Sequence, residues 1–333
     1  MSSFSLDTLA QYANPPNNIL GTSLFLSYNV ATLYLTSAIC INLYRKYIAV
    51  FSTADTAKET KFVRAAKDAR SRHVKVYAFL ASISFATLSY HMLNFLIASY
   101  VKWSGSPKTS MADISSESLK RWMLESTLFE DFATELVRDG PSAVWTQMAI
   151  IGTWFWNVWI AGKAEQRKLS TGSITSYIIL SQILPISFTV SLFIIHLHLS
   201  SPDISPPSTQ PTSPPTKRYV KTSLALPTIL INAGLLILPS LRNHQLFIPL
   251  VLFTRVLLLL PYSGRISTRE DEIVKSAMIS VGFVVAHVVT MRKAYGVRDV
   301  MRGVWSGGEA LKAVGWDADL GVLVFCALGW GGL

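Results

Sequence analysis

Apolar positions in this chain do not alternate as in a half-buried strand, nor do they mark one stripe of a soluble helix. They gather in long blocks separated by polar, mostly basic connections. The blocks run from Ile19 to Tyr44, Val74 to Val101, Ala143 to Ala161, Ile174 to Leu199, Ser223 to Leu241, Leu246 to Pro261 and Ile273 to Met291. A last block, Leu320 to Leu333, would reach only about 21 Å as a helix, short of a hydrocarbon core of about 30 Å. The pattern predicts an all-α fold, a polytopic transmembrane helix bundle of seven to eight spans.

The connections divide the chain. Residues 1–199 form a four-span half that includes an acidic amphipathic segment at 122–139. Residues 200–222 are a Ser/Pro/Thr-rich loop with no core-forming side chains, expected to be disordered. Residues 223–333 carry the remaining three or four spans. Between Arg45 and His73, the basic positions Lys58, Lys61, Arg64, Lys67, Arg70 and Arg72 recur by threes, which predicts a helix lying on the membrane surface. Ser267 and Glu270 have the spacing of a capping box for the seventh span.

Composition agrees with a membrane setting. Half of the 333 residues are apolar, only 15% are charged, and the mean hydropathy is +0.36, against roughly 25% charged in soluble domains. The net charge of +10 sits in the connections, so it reads as topology signal and lipid-headgroup contact, not as a nucleic-acid surface. Loops after odd-numbered spans hold 17 Lys and Arg against 10 after even-numbered ones. The excess puts the first loop in the cytosol and the N-terminus in a lumen, with the endoplasmic reticulum the expected membrane. Met1 to Asn18 has no basic stretch, so no secretory signal is expected. Cys40 and Cys326 both fall in apolar blocks, which excludes a disulfide framework and predicts two unpaired, buried thiols.

Candidate chemistry is sparse. No Walker loop, dinucleotide fingerprint, His-Glu-x-x-His or Gly-x-Ser-x-Gly is present. Paired Asp-rich motifs that hold a metal diphosphate are also missing, so no metal and no cofactor is expected. Acids concentrate at Glu125, Glu130, Asp131, Glu135 and Asp139. At about 100° per residue, Leu124, Leu128, Phe132 and Leu136 form one stripe. Glu125 and Asp139 fall within it, Asp131 and Glu135 flank it, and Glu130 faces away. Two readings stand: solvated carboxylates on an interfacial helix, or one or two carboxyls turned into a cavity as general acids.

The next span carries Gln147, Trp154 and Asn157 near one face, where amides need partners and indole faces stabilise cations. Further polar positions within spans are Tyr90, His91, Asn94, Gln182, Asn232, Arg255 and His287. Arg255 costs about 2.5–3.5 kcal/mol to insert and calls for a carboxylate or several carbonyls.

Three stretches occur together: Thr127-Leu128-Phe129-Glu130-Asp131-Phe132-Ala133, Trp145-Thr146-Gln147, and Ser181-Gln182-Ile183-Leu184-Pro185-Ile186-Ser187-Phe188. In this order they resemble the fungal membrane-bound terpene cyclases of the ascochlorin, ascofuranone and macrophorin pathways, over roughly Trp122 to Phe193. The resemblance implies a proton-initiated, metal-free isomerase or lyase of fungal secondary metabolism. Its substrate would be a prenylated phenol or cyclohexenone, often an epoxide, held in contact with membrane lipids. It places the acid at Glu130 or Asp131; the pattern of polar and aromatic positions within the spans, apart from the resemblance, offers Trp154, Gln147, Asn157, Tyr90, Asn94, Gln182 and Arg255 as substrate- or cation-stabilising groups. The alternatives are a transporter, a non-catalytic polytopic protein and another lipid-modifying enzyme.

Overall fold

The computed structural model describes residues 15–51, 61–105, 114–200, 221–292 and 294–331. Among these residues there are twelve α-helices and no strand. In chain order they are α1 (Ile19–Phe51), α2 (Lys61–Ser104), α3 (Ser116–Glu125), α4 (Leu128–Leu136), α5 (Gly140–Gln166), α6 (Thr171–Ile183), α7 (Ile186–Leu199), α8 (Ala225–Ile237), α9 (Phe247–Leu257), α10 (Glu270–Met291), α11 (Val297–Ser306) and α12 (Glu309–Gly331). Three are long and apolar enough to cross a membrane: α1, the Val63–Ser104 part of α2, and α10. This is compatible with a membrane protein.

The long helices define two ends. At the first, Asn18 donates to the carbonyls of Leu124 and Ser126 at 2.9 Å each, and Arg242 donates to the Arg138 carbonyl at 2.7 Å. At the other, the rings of His73 and Trp330 lie 6.5 Å apart and Lys221 pairs with Glu165 at 2.6 Å. Helix α2 runs antiparallel to α12, with His91 on Glu309 (2.7 Å) near the first end and His73 on Trp330 at the other.

The fourth apolar block does not run from end to end. The residue before a proline disfavours the helical region, and Leu184 is extended (φ −110°, ψ 171°) before Pro185. Helices α6 and α7 therefore form an antiparallel hairpin: Tyr177 packs on Phe193 at 5.4 Å and on His196 at 5.8 Å. A continuous helix would hold Tyr177 and Phe193 about 24 Å apart. From the tip, α7 returns to the Trp330 end, where His198 stacks on His73 at 5.4 Å. The α7 sequence is apolar nearly all round, and all its residues are buried, as a core helix requires. Backbone groups freed at the tip find partners. Tyr28 Oη donates to the Ile183 carbonyl at 2.9 Å, and Asp317 accepts from the Ile186 and Ser187 amides at 2.9 and 3.0 Å. Without them each group would cost several kcal/mol in an apolar bundle.

Other expectations are corrected. The basic stretch from Lys61 to His73 is not a separate surface helix but the first turns of α2, while residues 52–60 lie outside the described set. The 122–139 segment is two short helices, interrupted at Ser126 and Thr127. Helix α10 starts after Arg269 with no side-chain cap, so the Ser267–Glu270 capping box does not form. Cys40 and Cys326 are free as expected but exposed. Residues 201–220, most of the Ser/Pro/Thr-rich stretch, lie outside the described residues.

Candidate functional site

Helix α5 has two working faces. On one, the polar groups singled out from sequence are engaged with neighbouring helices. Gln147 Nε2 donates to Asn232 Oδ1 at 3.2 Å, and His287 Nδ1 donates to Gln147 Oε1 at 2.7 Å. Asn232 also donates to Ser280 Oγ at 3.2 Å. Trp154 Nε1 donates to Thr228 Oγ1 at 3.1 Å. Asn157 donates to the Leu258 carbonyl at 3.1 Å and accepts from Tyr262 Oη at 2.9 Å. Gln147, Trp154 and Asn157 are at most 1% exposed. Their capacity is used in tying α5 to α8, α9 and α10, as interhelical amides in apolar surroundings must be.

The opposite face, about 180° away around the wheel, carries Trp145, Met148, Gly152, Phe155, Trp156 and Trp159. It lines a cavity of about 450 Å³ closed on its other side by Ile186, Ile273 and the α12 residues Asp317 to Phe325. That volume lies in the range of small-molecule sites, about 300–1,000 Å³. Trp156 is the centre of the aromatic wall, edge-on to Trp159 at 5.4 Å and to Phe325 at 6.2 Å. It comes close to α12 because Gly321 has no side chain: a Cβ there would stand 3.2 Å from the indole nitrogen. Gly152 leaves open space, with nothing within 4 Å of where its Cβ would be.

The cavity's charged lining residues are two carboxylates, and they differ. Asp317 is occupied: besides the two α7 amides it accepts from Ser187 Oγ at 2.6 Å, so it pins the hairpin tip to α12. Asp319 makes no hydrogen bond or ion pair among the described residues and is partly open to the cavity. Both stand level with the middle of α5, since Gly321 abuts Trp156, about 24 Å along the helix from Gly140.

The acidic segment has no part in this cavity. Glu130 and Asp131 are exposed, which corrects the expectation that one of them turns into a pocket lined by Trp154 and Gln147. Asp131 accepts only from Thr127 Oγ1 at 3.2 Å. Glu125 accepts from Trp103 Nε1 at 2.8 Å, Glu135 from the Ala310 amide at 2.8 Å, and Asp139 caps α5 through Ser142. Of the other candidates, Tyr90 is 63% exposed and Asn94 is half-buried. Gln182 sits at the hairpin tip, donating to Ser181 Oγ at 3.4 Å. Arg255 makes no ion pair among the described residues, contrary to the partner expected within hydrogen-bond reach. Its charge acts at longer range on Asp317 and Tyr28.

Sequence reasoning missed Asp317 and Asp319 because the last apolar block was drawn from Leu320. Extending it back through Ala310, Leu311, Ala313 and Val314 gives a full-length helix with both acids inside. Among the described residues, no group of three or more His, Cys, Asp and Glu is placed to hold a metal. Comparisons with protein-family models, curated proteins and solved structures gave no match.

Proposed function

We propose that the protein is an integral membrane terpene cyclase that closes rings on a prenylated, epoxidised phenol or cyclohexenone, with Asp319 as the acid. The observation that carries this reading is a carboxyl group with no hydrogen-bond partner among the described residues, at a tryptophan-walled cavity midway along the bundle. An ionisable group at such depth marks function by default. A carboxyl among apolar groups is suited to hold and deliver a proton.

In this reading the Asp319 carboxyl gives its proton to the epoxide oxygen as the C–O bond breaks. The resulting cation is attacked by neighbouring alkene π bonds, which form the new C–C bonds. The last cation returns a proton to the Asp319 carboxylate, so the net reaction is an isomerisation. Trp156 and Trp159 offer faces to the travelling positive charge, worth about 0.5–2 kcal/mol each when desolvated. The dry cavity keeps water from intercepting it. Asp317 is a positioning residue: it holds the hairpin tip that forms part of the wall.

The test is conversion of a farnesylated phenol epoxide by the full chain in liposomes, read by product analysis. Cyclised product with wild type and loss with Asp319→Asn support the reading; equal turnover by both sinks it. The hairpin itself favours a second reading. Half-helix ends near the midplane are the binding elements of many transporters, and here the α7 start meets a carboxylate beside a cavity. Uptake of substrate into sealed vesicles without conversion would favour that alternative.

A further inference from the structure

The cavity has a mouth, and its position says how it is filled. Helices α10 and α12 both pack on α5 but not appreciably on one another. The cavity lies in that cleft, between Ile273 of α10 and Val322 and Phe325 of α12. Val322 and Phe325 are 61% and 66% exposed. The outer face of α10 continues the apolar surface through Met278, Val281 and Val285, all exposed, on a helix apolar and long enough to cross a membrane.

Toward the Asn18 end the helices around the cavity are tied to one another. Trp145 Nε1 donates to the Val300 carbonyl at 2.7 Å, which seats α11 across the start of α5. Glu135 accepts from the Ala310 amide at 2.8 Å, which holds the start of α12 against α4. The exposed lining residues Val322 and Phe325 face sideways, where lipid chains would be.

We infer that the cavity is loaded laterally from the bilayer: an amphiphile with a polar ring head and a prenyl tail slides between α10 and α12, tail first. Tail-first entry follows from the depth of the acids. Asp317 and Asp319 stand level with mid-helix, at the depth of acyl chains, so it is the end of the tail that meets them while the polar head stays toward the membrane surface. This rests on the cavity being the substrate site, but it concerns access and not chemistry.

The experiment uses the full chain in phosphatidylcholine nanodiscs containing a phospholipid with a diazirine at mid-chain. After irradiation, labelled residues are mapped by peptide mass spectrometry. The expected result is label inside the cavity at Met148 and Phe155, besides label on the outer positions Leu323 and Val281. An excess of a farnesyl-length alcohol should remove the inner label and leave the outer. Val322→Trp, which narrows the mouth from an exposed position, should do the same. The persisting outer label shows that the variant is folded and inserted. Outer label without inner label in the wild type overturns lateral loading. So does inner label that a water-soluble diazirine gives as strongly as the lipid probe. Labelling and product formation are separate readouts: inner label with no cyclised product leaves lateral loading standing and removes the cyclase reading.

Discussion

Two regions of this protein are acidic, and they use their carboxylates in opposite ways. Between Glu125 and Asp139 five acids crowd into a short stretch, and four of them accept hydrogen bonds from an indole, a hydroxyl, a helix start or a guanidinium. The fifth, Glu130, is exposed. On α12 there are two acids at the cavity: one anchors the hairpin and the other has no partner among the described residues. Density of charge along the sequence is thus a poor guide to chemistry here. In the proposed function, an apolar wall and the lack of a structural duty are what set a proton-donating carboxyl apart.

The comparison breaks or holds on substitutions, ordered by expected effect. Asp319→Asn keeps shape and removes the titratable proton, so turnover should fall roughly a hundred- to ten-thousand-fold, the usual worth of a general acid, with the thermal midpoint unmoved. Asp317→Ala strands the two α7 amides and the Ser187 hydroxyl. It should destabilise the bundle by about 3 kcal/mol, at about 1–3 kcal/mol for a buried group left unpaired, read by thermal unfolding in detergent. Trp156→Leu takes away one aromatic face and should slow cyclisation about tenfold, equivalent to roughly 1.4 kcal/mol, whereas Trp156→Phe should lose less.

Smaller effects belong to the other region. Asp139→Ala removes the α5 cap, at a cost of about 0.5–2 kcal/mol. Burial alone would push the Asp139 carboxyl up, but the Ser142 hydrogen bonds and the Arg138 guanidinium hold it below its ordinary value. Its contribution is therefore full above about pH 4, the ordinary aspartate value, and is lost as pH falls through the lowered one. Wild type and Asp139→Ala should converge in stability on acidification. Glu130→Gln and Asp131→Asn should do least, within about 0.5 kcal/mol as for exposed sites generally, and with turnover unchanged. A large loss of turnover in either would return the chemistry to the acidic segment.

Much of the helical fold was legible from the blocks, because a long apolar run in a membrane must satisfy its backbone groups within itself, which a helix does. The break at Pro185 was also in reach, since a proline denies its predecessor the helical region. Which face of α5 meets which neighbour was not legible. Trp154 and Trp156 are two residues apart and both apolar, yet one donates to Thr228 and the other borders the cavity. Only the placement of α8 and α12 separates them. Asp317 and Asp319 were hidden for a related reason. A hydropathy window is lowered by the very acids that a functional helix carries, so the block was cut just after them.

The hairpin changes the arithmetic of sidedness. Because α6 and α7 enter and leave at the same end, the chain departs at Ser200 and resumes at Lys221 on the side of the Arg45 to His73 segment, not opposite it. Every later connection changes side with it. Recounted so, 16 Lys and Arg fall to the connections at the Trp330 end and 11 to those at the other, and by the positive-inside rule the Trp330 end is the one expected in the cytosol. On that rule the start of the chain is still expected on the lumenal side, and the connection between Ser200 and Lys221 is expected on the same side as the first loop. In sealed microsomes an outside protease should then cut both that stretch and the first loop, where a fully crossing fourth block would have protected one of them.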